Sequence, residues 1–138
     1  MTPSPNSAPS RIALHRVLAD WGEGASSASG GGGDFSAPGD STWIHTFYDD
    51  EFWVVPGGHY LRRSSASEEV SASGVYSWGS TRKMVADVRR WLAAPQRNFG
   101  WIVLGDETTR QNAKNFASRE ESDRALRPVL EVSYQLPR

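Results

Sequence analysis

Three histidines, His15, His45 and His59, and two acidic clusters, Asp49-Asp50-Glu51 and Asp106-Glu107, are the first residues in this chain to weigh for chemistry. A zinc centre needs closely spaced ligands, such as a His-Glu-x-x-His helical turn, and these histidines stand on separate segments. His15 and His45 lie inside apolar runs, where hydrogen-bonded packing is the plainer role. Paired carboxylates could hydrolyse a glycosidic bond if held about 5–10 Å apart across a cleft. Neighbouring acids in one loop diverge, so such a pair would have to come from different loops. Irregular carboxylate-rich loops also suit a calcium ion, and no other cofactor is expected. No serine sits in a Gly-x-Ser-x-Gly elbow. The chain has no cysteine, which removes thiol nucleophiles, disulfides and cysteine zinc sites together. The run Gly30-Gly31-Gly32-Gly33 leads to no Lys-Ser/Thr pair and no helix, so it reads as a loop and not a phosphate cradle.

Aromatic and basic residues offer more. Sugars lie against flat aromatic faces, and acidic sugars add carboxylates that Arg and Lys can pair. His45 and Trp101 occupy strand positions that could show a sheet face, and Lys114 and Arg119 flank Phe116. If their strands are neighbours, His45, Trp101, Lys114 and Arg119 form one aromatic and cationic platform. The plainer roles are core packing for Trp101 and an ion pair with Glu120 or Glu121 for Arg119. A second basic patch, Arg82, Lys83, Arg89 and Arg90, lies on one predicted helix. Such a face is usually solvated, and it points only weakly to an anionic partner.

The elements that would position these residues follow from periodicity. Residues 1–10 are Pro-, Ser- and Asn-rich and read as a disordered tail, and residues 11–136 as one domain. Ile12 to Leu18 is a strand with apolar residues on both faces, so it is expected to be covered on two sides. Residues 22–41, with Gly22, Gly24, the four-glycine run and Gly39, form a long flexible loop. Thr42 to Tyr48 is a second strand. Residues 49–58 are a loop closed by Pro56-Gly57-Gly58, and 59–62 a weak strand. Residues 64–73 are polar and read as a connection, and Val75 to Trp78 as a short strand. Between Thr81 and Leu92 the apolar residues Met84, Val85, Val88, Trp91 and Leu92 fall in an arc of roughly 120°, the width of a core-facing helical stripe. Ser80 or Thr81 is the N-cap and Pro95 the stop, giving a helix over about 81–93. Residues 99–104, 114–118 and 129–134 complete the strands. Six or seven short strands with one helix point to a mainly β, antiparallel sandwich, because a parallel sheet would need a helix after most strands.

In this order several blocks are familiar. Leu14-His15-Arg16-Val17 leads to Asp20-Trp21-Gly22-Glu23-Gly24, and Pro38-Gly39-Asp40 to Thr42-Trp43. Met84-Val85-Ala86-Asp87-Val88 precedes Trp91-Leu92, and Asn98-Phe99-Gly100-Trp101 precedes Gly105-Asp106-Glu107. Phe116 stands before Ser118-Arg119-Glu120, and Arg127-Pro128 before Leu130. From residue 12 to 135 the combination resembles the DNRLRE domains of bacterial and archaeal extracellular proteins. The resemblance implies a jelly-roll-like β-sandwich, an accessory module of secreted or cell-surface proteins, and no catalytic set. Some relatives are similar to carbohydrate-binding modules for acidic polysaccharides. Such domains begin with further strands, whereas this chain starts at the middle strand; either its start is assigned late or it is a natural fragment, and in the second case open sheet edges are expected.

Net charge is −1 and the pI about 6.3, so no overall field draws the chain to nucleic acid, and no reading motif is present. No apolar run reaches the ~18 residues of a membrane helix, and residues 1–10 lack a signal peptide's apolar stretch. The expectation is therefore a non-catalytic, extracellular-type module. Its partner would be an acidic polysaccharide or cell-surface glycan, or other domains of a larger protein. A structural spacer or protein-interaction module is the alternative, and a polysaccharide-cleaving enzyme ranks below both.

Overall fold

The computed structural model describes residues 8–26, 33–106, 108–109 and 112–135. Its centre is strand β1 (Ser10–Arg16), which pairs antiparallel with β4 (Ala66–Val70) on one side and β5 (Trp101–Leu104) on the other. Leu14 stands opposite Ala66 in one ladder and Val103 in the other, and Arg16 opposite Trp101. A separate hairpin joins β2 (His45–Phe47) to β3 (Glu51–Phe52). Helix α1 (Arg82–Ala93) follows β4 in the chain, and short 3-10 turns occupy Pro95–Arg97 and Arg124–Leu126. The described residues are thus β-rich, with antiparallel sheets and one α-helix among them.

The helix forms where expected. Thr81, in extended backbone, accepts the Met84 N–H at 3.1 Å, and Pro95 follows the C-cap Ala94. Its buried face differs from the apolar arc. Asp87 and Trp91 are buried, while Val85 and Leu92 are exposed. The docked stripe is rotated toward Asp87 because that carboxylate meets an arginine on the sheet, so an ion pair and not the apolar arc sets the helix's roll.

β1 is covered unevenly. Ser10 and Ile12 are buried on the face whose Arg16 meets the helix, whereas Ala13 and His15 on the opposite face are only half-buried. Beyond β1 the ladder continues loosely: Val17 bridges Tyr60, and Leu18 N–H donates to the His59 carbonyl. The 59–62 strand is therefore reduced to one bridge.

Several expected elements are corrected. The polar stretch 64–73 contains strand β4, which the residue pattern hid because its buried residues, Ala66 and Val70, are separated by Ser67, Glu68 and Glu69. The 49–58 loop supplies β3. Val75 to Trp78 pairs with no strand, because side chains take over the backbone partners. Tyr76 Oη accepts from Ser71 and Ala72 N–H and donates to the Ala72 carbonyl, and Trp78 Nε1 donates to the Ile12 carbonyl at 3.0 Å. Residues 114–118 and 129–134 join no ladder. Of the expected tail, residues 1–7 lie outside the described set, and Ser10 is buried in β1. Of the loop 22–41, residues 27–32 lie outside it. The loop's neck is closed by a Glu23–Asp40 bridge and by Gly22 N–H donating to the Thr46 carbonyl.

Among the described residues the buried apolar set is small: Ile12, Val17, Ala66, Val70 and Trp91. Buried polar residues are as numerous, namely Ser10, Asp40, His45, Thr46, Ser65 and Asp87. Of these, Asp40, His45, Ser65 and Asp87 are paired through their side chains, so polar pairing shares with apolar burial the task of holding the elements together.

Candidate functional site

Site geometry starts from Asp87, one turn before Trp91 on α1. Its Oδ1 lies 2.9 Å from Arg16 Nε on β1, and its Oδ2 accepts from Ser65 Oγ at 2.5 Å and from Trp101 Nε1 at 3.0 Å. One carboxylate thus engages β1, β5 and the residue preceding β4. The Trp101 ring also meets Trp91 edge-on at 4.5 Å between centroids. Trp101 is a packing and helix-docking residue, with its indole N–H committed inward.

Seating α1 this way brings its first turn against the start of β4. Thr81 Oγ1 donates to the Ser65 carbonyl at 2.5 Å, and Lys83 Nζ donates to the Ser64 carbonyl at 2.9 Å. Between them lies a groove of about 330 Å³ lined by Arg11, Ser64, Ser65, Ala66, Ser67, Thr81, Arg82 and Lys83. Its lining holds three cations and no acid. The side chains of Arg11 and Arg82 make no hydrogen bond or ion pair with another described residue. The first-turn amides of a helix lack intrahelical acceptors and carry the positive end of its dipole, which adds to the same field. Arg, Lys, Ser and Thr line it, and their guanidinium, ammonium and hydroxyl groups are the donor types that pair carboxylates or sulfates.

Among the described residues no hydrogen bond, ion pair or ring contact joins any two of the four residues expected to form a platform. His45 is buried, with Nδ1 2.9 Å from Thr42 Oγ1 and its ring against Phe52 at 4.4 Å and Tyr48 at 5.1 Å. Lys114 Nζ donates to the Ala8 carbonyl at 2.9 Å and the Asn112 carbonyl at 3.1 Å. Arg119 bridges Glu120 and Glu23, each at 2.8 Å, and the Glu120 hydrogen bond and the Glu23 charge raise its already high pKa. Trp101 belongs to the Asp87 cluster. Sequence reasoning placed Arg82 and Lys83 in a basic helix face but missed Arg11 and Ser64–Ser67, because the polar run 64–73 carried no sign of the strand it contains.

A second groove, of about 570 Å³, is lined by Pro38, Gly39, Phe47, Tyr48, Asp49, Asp50 and Glu51. Its acids would repel an anionic ligand. Nearby, buried Asp40 accepts the Ala37 N–H at 2.6 Å and the Ser26 N–H at 3.3 Å, tying both ends of the glycine-rich loop. Its pKa is lowered, first by the Ser26 side chain and then by the Ala37 amide. Among the described residues no group of three or more His, Asp or Glu side chains is placed to hold a metal ion. His15 is likewise engaged, its Nδ1 donating to the Leu61 carbonyl at 2.8 Å. Among the described residues no helix is long and apolar enough to cross a membrane.

Neither a family model, nor a curated protein, nor a solved structure matches this chain.

Proposed function

We propose that this chain is a non-catalytic, extracellular-type module with a jelly-roll-like sandwich architecture that binds acidic polysaccharide, and that Arg11, Arg82 and Lys83 supply the cationic contacts. The observation that carries the reading is the acid-free groove, in which Arg11 and Arg82 have no partner among the described residues. In a chain of net charge −1, the lining gathers three cations and no acid, which favours an anion there. Affinity electrophoresis in alginate, pectin and neutral glucan gels tests the binding. Retardation by the acidic polymers alone, lost in Arg11→Ala/Arg82→Ala, is expected, whereas free migration in every gel overturns the reading.

A protein-interaction module is the second reading. It is favoured by the exposed apolar side chains on and around the β2–β3 hairpin, Trp43, Ile44, Phe52, Val54 and Val55. Neighbouring exposed apolar groups of this size mark association surfaces more often than they mark glycan grooves.

A further inference from the structure

Residues 129–134, Val-Leu-Glu-Val-Ser-Tyr, have the composition of a strand but form none. Val129 is 86% exposed and Tyr134 80%, and no residue from 128 to 135 makes a hydrogen bond to another described residue. The base of this segment is fixed. Arg127 is held by its Nε donating to the Glu121 carbonyl at 2.6 Å, with φ −68° and ψ 146°, and Pro128 sets its own φ.

The sheet carries the matching vacancy. β5 pairs with β1 alone, so among the described residues its outer edge presents unpaired backbone groups. Sheet edges are ordinarily guarded by charge, proline or a bulge. β4, at the other edge, carries Glu68 and Glu69, but β5 reads Trp101-Ile102-Val103-Leu104 with no charge and no proline. Val103 is 48% exposed. Six extended residues span about 20 Å, enough to run the length of β5 and its flanking turns.

We propose that residues 129–134 add as a strand to the β5 edge of a second copy of this chain, and that the second copy returns the same strand. Among the described residues each copy offers an unpaired strand-forming segment and an unguarded β5 edge, and a two-fold pair satisfies both. The exchange concerns a different surface from the basic groove and stands or falls separately from glycan binding.

Light scattering coupled to gel filtration, from low micromolar to submillimolar chain, tests it. The wild type should run at twice the 15.2 kDa of the chain. Val132→Pro removes a ladder donor and Val103→Lys charges the edge, and each should weaken dimerisation at least tenfold while far-UV circular dichroism stays unchanged. If Val132→Pro fails to fold, Val103→Lys decides alone. A wild-type monomer throughout the series overturns the proposal, whether its 129–134 amides exchange freely or are protected by pairing within one chain. A dimer that survives both substitutions overturns it too, and moves attention to the β2–β3 hairpin.

Discussion

Arg16 Nε lies 2.9 Å from Asp87 Oδ1, with the two side chains 13% and 9% exposed, so an ion pair fixes the helix on the sheet. Around it the apolar core is thin, and the carboxylate's other oxygen is shared between Ser65 and Trp101. Removing one member of a buried pair strands the other charge and typically costs about 3–5 kcal/mol, a large share of a domain's stability. Asp87→Ala should therefore lower the urea midpoint steeply or unfold the chain. Asp87→Asn, which keeps an acceptor for Trp101 Nε1, should cost less. The double variant Arg16→Met/Asp87→Leu should recover most of the loss, because apolar replacement of a whole buried pair is often neutral or better. A double variant no more stable than Asp87→Ala would show that the pair's geometry, and not its burial, is what matters.

Thr81 has two duties, and they separate by substitution. It caps α1 through the Met84 N–H and ties the helix to Ser65 through its own hydroxyl proton. Loss of an N-cap costs about 1 kcal/mol, and loss of the tie leaves the Ser65 carbonyl short of a donor. Thr81→Ser should stay near wild type in thermal unfolding, while Thr81→Ala should fall further than a cap alone explains.

The same helix shows how much could be read beforehand. Its limits were legible because Thr81, Pro95 and a 3.6-residue rhythm act locally. Its roll was not, since Asp87 belongs to the polar side of the rhythm until Arg16, far off in sequence, turns it inward. β1 and β5 were legible as apolar runs. β4 was not, because Glu68 and Glu69 interrupt the alternation between Ala66 and Val70. The segments 75–78 and 129–134 carry strand-forming residues without a neighbouring strand, and pairing is a tertiary property that composition cannot supply. For the site, Arg82 and Lys83 were visible as a helix face, whereas Arg11 gained its meaning only from the position of β4.

Glycan retention should track ionic strength and not aromatic contact. If Arg11, Arg82 and Lys83 make the contacts, mobility shifts in alginate gels should shrink as salt rises from 0.05 to about 0.3 M, because the Debye length falls below about 10 Å in that range. Lys114→Ala and Arg119→Ala should leave retention unchanged, since neither residue lines the groove, and Arg119 is paired with Glu23 and Glu120. A loss of retention in either would return the site to the dispersed residues.

Asp106 gives the last prediction, and it is local. Its carboxylate accepts from Thr108 Oγ1 at 2.6 Å, Thr108 N–H at 2.8 Å and Thr109 Oγ1 at 2.5 Å, and its carbonyl accepts from Asn112 Nδ2 at 2.7 Å. Three donors aimed at the charged form pull its pKa from 3.8 down to about 2, chiefly through the Thr108 and Thr109 hydroxyls. A carboxylate whose pKa is depressed on folding contributes stability that is fully present above 3.8 and is lost as the pH falls through about 2. The Asp106 carboxyl carbon followed by NMR should thus titrate near pH 2, and the Thr108 amide resonance should move with it. Thr108→Val should bring the midpoint back toward 3.8, since it deletes the first of the hydroxyl donors. A midpoint already near 3.8 in the wild type would mean that the turn does not hold these hydrogen bonds in solution.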